Sequence, residues 1–216
     1  MAELEFIIES TFSMDPIELE KMINVLILRH NHGYNQFELA FLMGFRNMYI
    51  RDVENPLGTL QYSVPNNGYM MRIFKCGIEG FVPARLPITE TPIHRISTAT
   101  DEDGKIHFKA EKLGDDGKWE TLKTFSEEPK KLLLPSPSIV SEEKVVDWVA
   151  RKFDGGRFFV KPKTALEILH ACEKDMDGPV RPIFLASALK KHTAKKKAPR
   201  LLKPTNEVGR FVFVRE

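Results

Sequence analysis

Residues 36–54 read QFELAFLMGFRNMYIRDVE, and this stretch carries the strongest structural signal in the chain. Ala40 offers the small side chain that is needed where one helix crosses closely over another. Gly44 follows four residues later, where a tight turn favours a left-handed backbone that glycine adopts without steric cost. The apolar residues around this turn are Leu39, Met43, Phe45, Ile50 and Val53. Their spacing predicts two short helices that share one small core.

The same spacing resembles the helix-turn-helix of the XRE family, to which the lambda repressor and Cro belong. In that family an arginine on the first helix pairs with a glutamate that ends the recognition helix, and Arg29 and Glu54 stand at the matching positions. The resemblance extends over about 25–55 and, more loosely, over 68–81. The positions that carry it are Arg29, Ala40, Gly44, Ile50, Val53 and Glu54.

The resemblance implies that double-stranded DNA is the partner. It places the start of the second helix at Gln36 and the start of the recognition helix near Arg46. The implied base contacts in the major groove are Arg46, Asn47, Met48 and Asp52, since arginine can read guanine, asparagine adenine and a carboxylate cytosine. The implied backbone contacts are Gln36, Tyr49, Arg51 and Asn55. The tail run Lys195, Lys196 and Lys197 joins the expected phosphate contacts on account of its charge.

Two features of this segment depart from the family pattern. Between residues 25 and 60 the three arginines are balanced by three acids, whereas DNA-binding surfaces are usually basic. Asn55-Pro56 replaces the glycine-bearing exit, and a proline-interrupted connection follows. A homodimer, or phosphate contacts from the basic tail, would strengthen binding.

The whole chain is expected to be an α+β protein with three domains. An N-terminal all-α helix-turn-helix domain covers 1–83, with a first helix starting at Asp15-Pro16. A small antiparallel β meander covers 84–134, because Ile106, Phe108 and Ala110 alternate with polar residues. Asp103-Gly104 and Asp116-Gly117 supply its turns. A basic α+β domain covers 135–216.

The C-terminal domain follows the proline-rich link at 134–137. Ser141 is expected to cap a helix that buries Val145, Trp148, Val149 and Phe153 on one face. A second helix is expected near Pro162, burying Ala165, Ile168, Leu169 and Cys172, and a third at Pro182, carrying Ile183, Ala186 and Leu189. Residues 200–203 and 209–214 predict a terminal hairpin. Helices followed by a basic hairpin resemble a winged-helix layout.

Charge is distributed unevenly along the chain, although the net formal charge is only +2. The first twenty residues contain six acids and no Lys or Arg. From residue 178 to the end, ten basic residues stand against two acidic ones. Such a basic tail is typical of a protein with an acidic partner such as nucleic acid, and also of a solvated basic face.

Other classes of protein find little support in the sequence. No apolar run approaches the ~18 residues of a membrane span, and the acidic N-terminus is unlike a signal peptide, so a cytoplasmic protein is expected. Cys76 and Cys172 are expected to be buried thiols. His30 and His32 lack a third metal ligand, and Gly114–Lys118 and Asp101–Gly104 are expected to be hairpin turns. We therefore expect no metal, no cofactor and no enzymatic activity.

Three functions are compatible with these observations. The leading hypothesis is a sequence-specific regulator of transcription that binds DNA through its N-terminal helix-turn-helix. The alternative is a protein-interaction module, such as an adaptor or immunity-type protein, that keeps this motif as a scaffold and uses Met48, Tyr49 and the acidic N-terminus against a protein partner. An enzyme whose residues converge only in three dimensions is the third, and it requires a deep pocket with titratable groups.

Overall fold

The computed structural model describes residues 5–83, 92–127 and 139–216. Its contacts divide the chain into two compact units. Unit 1 comprises Met1–Asn35 and Arg51–Leu134, and unit 2 comprises Gln36–Ile50 and Pro135–Glu216. The chain therefore enters unit 2 for one short segment, returns to unit 1, and completes unit 2 at its C-terminal end.

The described residues contain seven α-helices and seven β-strands, which confirms the α+β class. The helices are α1 (Pro16–Asn31), α2 (Gln36–Met43), α3 (Tyr49–Val53), α4 (Asn67–Phe74), α5 (Glu142–Asp154), α6 (Ala165–Met176) and α7 (Pro182–Thr193). The strands are β1 (Ile7–Ser13), β2 (Ile93–Thr100), β3 (Ile106–Leu113), β4 (Trp119–Glu127), β5 (Lys163–Thr164), β6 (Leu201–Leu202) and β7 (Val212–Arg215). None of the helices in the described ranges is long and apolar enough to cross a membrane.

Unit 1 is built on a four-stranded antiparallel sheet in the order β1-β2-β3-β4. The predicted meander is confirmed, and both predicted turns have their glycine in the left-handed region, with φ of 78° at Gly104 and 75° at Gly117. Helix α1 begins where the Asp15 carboxylate accepts a hydrogen bond from the Ile17 amide at 2.8 Å. Its apolar face covers the sheet, and the shared core contains Phe12, Met14, Leu19, Met22, Ile23, Ile96 and Ala110.

The prediction of an all-α N-terminal domain over 1–83 is wrong. Strand β1 lies within that range and pairs antiparallel with β2, so the N-terminal segment belongs to the sheet of the meander. The physical reason is that burial alternates from one residue to the next, as in a strand with one face on a core. Phe12 and Met14 are buried, whereas Thr11 and Ser13 are exposed. The predicted borders near 84 and 134, and the link at 134–137, lie outside the described residues, so the three domain ranges stay predictions.

Unit 2 combines four helices with a small antiparallel sheet in the order β5-β7-β6. Helix α2 packs against α6 and α7, and its residues from Glu38 to Met43 are all buried. The predicted apolar face of α5 is buried as expected, and so is that of α6. Strands β6 and β7 form the predicted terminal hairpin, which turns at Asn206–Gly209. The core of this unit thus lies between its helices and the sheet.

Two helix predictions in unit 2 require correction. The second helix begins at Ala165 and not near Pro162, because β5 intervenes and Thr164 forms a capping box with Glu167. In α7 the buried face contains Leu185, Ala188 and Leu189. Ile183 is 38% exposed, so the face of α7 that carries it is turned away from the core.

Candidate nucleic-acid interface

The turn after α2 has the backbone geometry that the sequence predicts. Gly44 lies in the left-handed region with a φ of 74°. The structure adds a second reason for glycine here, because a Cβ atom at this position would lie 3.0 Å from Cβ of Arg210. The Phe211 amide keeps the hairpin this close by donating a hydrogen bond to the Gly44 carbonyl at 2.7 Å. The buried Arg210 guanidinium donates to the Met43 carbonyl at 2.5 Å and lies over the Phe45 ring. The β6–β7 hairpin therefore holds the end of α2.

Helix α3, which occupies the place of the predicted recognition helix, begins later than predicted. Residues 44–48 form a turn, and α3 starts at Tyr49, so the prediction of a helix from near Arg46 is wrong. The Tyr49 amide donates a hydrogen bond to the Arg46 carbonyl at 2.9 Å, which closes a turn before the helix. The rings of Phe45 and Tyr49 lie against each other across this turn, tilted by 33° with centroids 4.2 Å apart. Arg46, Asn47 and Met48 are exposed in this turn, while Tyr49 is almost buried.

Arg29 and the part of the predicted motif from Arg51 to Asn55 lie in unit 1. The Arg29 guanidinium donates to both carboxylate oxygens of Glu54, at 2.8 and 2.9 Å, and each side chain is only 4% exposed. Arg51 contacts Asp52 at 3.1 Å, and the Asn55 side chain accepts a hydrogen bond from the Leu57 amide. The predicted DNA contacts are therefore divided between two units, with Gln36 and residues 46–49 in unit 2 and Arg51, Asp52 and Asn55 in unit 1.

Unit 2 contains a groove of about 550 Å³ between α2, α7 and the hairpin. It is lined by Phe37, Phe41, Asn47, Ile183, Ala186, Ser187, Lys190, Thr193, Lys203 and Phe213. Aromatic rings form its floor, and Phe41 contacts Phe213 with centroids 6.2 Å apart. Hydrogen-bonding side chains come from three separate segments: Asn47 from the turn, Ser187, Lys190 and Thr193 from α7, and Lys203 from the hairpin. The groove thus joins one predicted base contact to the basic C-terminal region.

The N-terminal end of α7 is occupied by a carboxylate from α2. Glu38 is fully buried, and its two oxygens accept hydrogen bonds from the Arg181 guanidinium at 2.9 and 2.8 Å. The same carboxylate accepts from the Ile183 amide at 3.3 Å, which satisfies an amide in the first turn of α7. The Ile183 amide is therefore satisfied within the protein, while the Ile183 side chain lines the groove.

Positive charge is concentrated around the C-terminal end of α7. Lys190 and Lys191 lie in its last turn, Lys195–Lys197 follow, and all five side chains are exposed. Lys203 lies over the Phe211 ring at 4.2 Å, and burial of its ammonium lowers its pKa. Over its two sequence ranges unit 2 has 18 Lys and Arg against 11 Asp and Glu, a formal net charge of +7. An acidic ligand is the natural partner of such a surface.

The sequence contained a signal for this groove that the prediction did not use. Ile183, Ser187, Lys190 and Lys191 lie at i, i+4, i+7 and i+8, so they share one side of α7. Ile183 is apolar, but Leu185, Ala188 and Leu189 define a complete buried face without it, which leaves Ile183 free to line a groove. The contribution of the hairpin depends on a fold that brings 203–213 beside 37–47, which no local pattern shows.

Within the part of the chain that the structure describes, no group of three or more His, Cys, Asp or Glu side chains could hold a metal ion. Cys172 is buried and Cys76 partly buried, and burial raises the pKa of both thiols, that of Cys172 to about 12. The chain matches no protein-family model, no curated protein sequence and no solved structure.

Proposed function

We propose that unit 2 binds double-stranded DNA through the exposed side of α7, the turn at 44–48 and the β6–β7 hairpin. One observation carries the proposal: the groove places Asn47, Ser187, Lys190 and Lys203 on one surface, although they come from three segments. Asparagine and serine can hydrogen-bond base edges, and lysine can neutralise phosphates. The proposal keeps the function inferred from the sequence but moves its centre from α3 to α7.

The order of elements in unit 2 supports this assignment. Helix α5, strand β5, helices α6 and α7, and the hairpin follow one another, and β7 lies between β5 and β6. This order is similar to the winged-helix arrangement, in which the third helix reads the major groove and the hairpin flanks it. Helix α7 has 12 residues and is therefore about 18 Å long, and its width suits the major groove. Helix α2 is an addition to that arrangement, and it blocks the first turn of α7.

The biological role that follows from this proposal is regulation of transcription in the cytoplasm. If the resemblance to the XRE family reflects descent, a homodimer on half-sites about one DNA turn apart would follow. Arg46 and Asn47 would then contribute base contacts from the turn, next to those of α7. Lys195, Lys196 and Lys197 would contact the phosphates that flank the groove.

The test is fluorescence anisotropy with a mixed-sequence duplex over a salt series. In Lys190→Gln/Lys191→Gln, we expect about tenfold weaker binding near 0.1 M salt and a slope of log K against log salt that is smaller by about 2, because two phosphate contacts are lost. The matched control is Lys144→Gln/Lys174→Gln, which removes the same charge from exposed sites of unit 2 outside the groove. Equal losses in both double variants would contradict a site on α7.

A second arm of the same experiment examines sequence preference. Asn47→Ala should leave the salt slope unchanged but reduce discrimination between duplexes at one base pair by about 1 to 3 kcal/mol. Val160→Ala changes an exposed side chain of unit 2 that does not line the groove, and it serves as the control. An unchanged preference in Asn47→Ala would remove this residue from the base contacts.

The apolar floor of the groove favours a second candidate function, the binding of a protein. Phe37, Phe41, Phe213 and Ile183 offer a surface suited to an apolar side chain, and DNA needs no such floor. Met48 is 47% exposed beside Asn47 in the same turn and would extend this surface. If the wild-type chain does not bind DNA even at low salt, the protein-interaction module becomes the better interpretation.

A further inference from the structure

Unit 2 has a second pocket, of about 450 Å³, that α7 does not line. Its lining residues are Arg151, Lys152, Gly155, Arg157, Phe158 and Lys163. Four of the six are cations, and none is acidic. The cations come from three places in the sequence: the last turn of α5, the loop that follows it, and strand β5. The fold thus brings together positive charges that no single helix face would collect.

A rigid aromatic cluster positions the two lysines of this pocket. Phe158 packs edge-on against Trp148 and against Phe159, with centroids 5.4 and 4.8 Å away. The ammonium of Lys163 lies 4.9 Å from the centroid of Phe158, and that of Lys152 lies 5.6 Å from it. Both ammonium groups therefore lie within cation–π distance of the same ring, and both lysines line the pocket.

Only one of the four cations has a carboxylate partner among the residues that the structure describes. Lys152 contacts Asp175 at 2.9 Å, and Asp175 also accepts a hydrogen bond from the Trp148 indole. These two contacts hold the pKa of the Asp175 carboxyl below its usual range. Arg151, Arg157 and Lys163 make no ion pair within the described ranges. Their mutual repulsion would be relieved by an anion in the pocket.

Helix α5 alone does not explain this charge. Cations in the last turn of a helix interact favourably with the helix dipole, and this accounts for Arg151 and Lys152. Arg157 lies in the loop beyond the helix and Lys163 lies in β5, so neither belongs to that turn. The helix dipole therefore does not explain why Arg157 and Lys163 line the same pocket as Arg151 and Lys152, and an anionic ligand would explain it.

We propose that this pocket binds a phosphate group. Two guanidinium groups can each donate paired hydrogen bonds to phosphate oxygens, and two ammonium groups complete the shell of donors. The phosphate has two conceivable sources, a free phosphorylated small molecule or the backbone of a nucleic acid. The proposal does not depend on the DNA-binding role of α7, because the two sets of lining residues share no member.

The experiment is isothermal titration of the full chain with pyrophosphate, at constant ionic strength set with chloride. Arg151→Gln/Arg157→Gln removes two exposed cations of the pocket, and Lys144→Gln/Lys174→Gln removes the same charge elsewhere in unit 2. We expect the wild type and the control to bind pyrophosphate, and the pocket variant to bind at least tenfold more weakly. Lys190→Gln/Lys191→Gln should bind pyrophosphate as the wild type does, even where it fails to bind DNA.

Duplex binding by the same variants distinguishes the sources of phosphate. If free pyrophosphate does not bind but Arg151→Gln/Arg157→Gln reduces the salt slope for duplex DNA by about 2, the pocket holds a backbone phosphate. If pyrophosphate binds and the salt slope is unchanged, the ligand is a free phosphorylated molecule. The proposal is overturned if neither measurement responds to the pocket variant, or if the control variant responds equally.

Discussion

The two units of this protein have opposite charges and different architectures. Unit 1 has 14 Lys and Arg against 19 Asp and Glu, a net charge of −5, and is a sheet covered by α1. Unit 2 has a net charge of +7 and consists of helices with a small sheet. The near-neutral charge of the whole chain is therefore the sum of two opposite regions. For function, the segment 36–50 has to be judged together with the basic C-terminal part, since both belong to unit 2.

Both units contain an arginine that is paired with a buried carboxylate, and the pairs Arg29–Glu54 and Arg181–Glu38 offer the sharpest comparison. In unit 1 Arg29 binds Glu54, and in unit 2 Arg181 binds Glu38. The unit 1 pair is formed within the predicted motif. The unit 2 pair joins residues 143 positions apart, and it also caps α7. The two carboxylates therefore support different parts of the fold.

The largest effect is expected for Glu38→Ala. It leaves the Arg181 guanidinium and the Ile183 amide without this carboxylate, and removal of one partner from a buried pair costs about 3 to 5 kcal/mol. Urea unfolding followed by Trp148 fluorescence in a Trp119→Phe background, which leaves a single tryptophan, measures the loss in unit 2. Glu54→Ala is the counterpart in unit 1. If the two units unfold independently, Glu54→Ala should not change the urea concentration at the midpoint of the Trp148 transition. An equal shift of this midpoint in Glu38→Ala and Glu54→Ala would contradict independent unfolding.

Acid should affect unit 1 more than unit 2. Burial, with help from the neighbouring Arg29, lowers the pKa of His30 to about 4, and burial also lowers the pKa of His94 in the same unit. A lowered folded-state pKa means that the contribution to stability is complete above about pH 6.5 and falls as the unfolded state takes up protons between pH 6.5 and pH 4. His30 alone should cost about 2 kcal/mol by pH 5.

The measurement is urea unfolding at pH 7.5 and pH 5, followed by the fluorescence of Trp119 in unit 1, in a Trp148→Phe background that leaves a single tryptophan. His30→Gln removes the largest of these contributions, so its unfolding free energy should change less between the two pH values than that of the wild type. Unit 2 contains His192, whose pKa burial also lowers, and His192→Gln is the control. An equal effect of both substitutions on the Trp119 transition would contradict the assignment to unit 1.

The sequence predicts local features of both units well and their assembly poorly. The DG turns of the meander, the left-handed Gly44 and the buried face of α5 all follow from a few neighbouring residues. Strand β1 was missed because the alternation is short: Phe12 and Met14 are buried, but the adjacent apolar residues Ile7 and Ile8 are both exposed. The pairing of Glu38 with Arg181 depends on contacts across 143 positions, and local periodicity carries no information about such distances.

The residues of the groove could likewise be predicted one by one from the sequence, but not their arrangement. Asn47 was identified from the spacing of the motif, and the basic tail was identified from composition. What could not be predicted is that Asn47, Lys190 and Lys203 line a single groove, because this follows from the packing of the hairpin on the end of α2. The basic pocket at Phe158 was missed for the same reason, since its cations come from a helix, a loop and a strand.

The smallest expected effect is a difference in unfolding free energy between the alanine variants of two glycines. One glycine lies in each unit, and the two have the same backbone conformation. Gly44 in unit 2 and Gly117 in unit 1 have φ of 74° and 75°. A Cβ atom at Gly44 would lie 3.0 Å from Cβ of Arg210 and 3.2 Å from the Phe211 carbonyl oxygen, whereas no atom lies within 4 Å of a Cβ at Gly117. Both alanine variants should lose about 1 to 2 kcal/mol for the left-handed backbone.

Gly44→Ala should lose about 1 kcal/mol more than Gly117→Ala, because the hairpin must also shift away from the new methyl group. Urea unfolding of the two variants under identical conditions gives this difference, since the conformational cost is common to both. Equal losses would mean that the hairpin is not held closely against the end of α2. The position of the hairpin would then not depend on Gly44, and DNA binding by the Gly44→Ala variant should remain at the wild-type level.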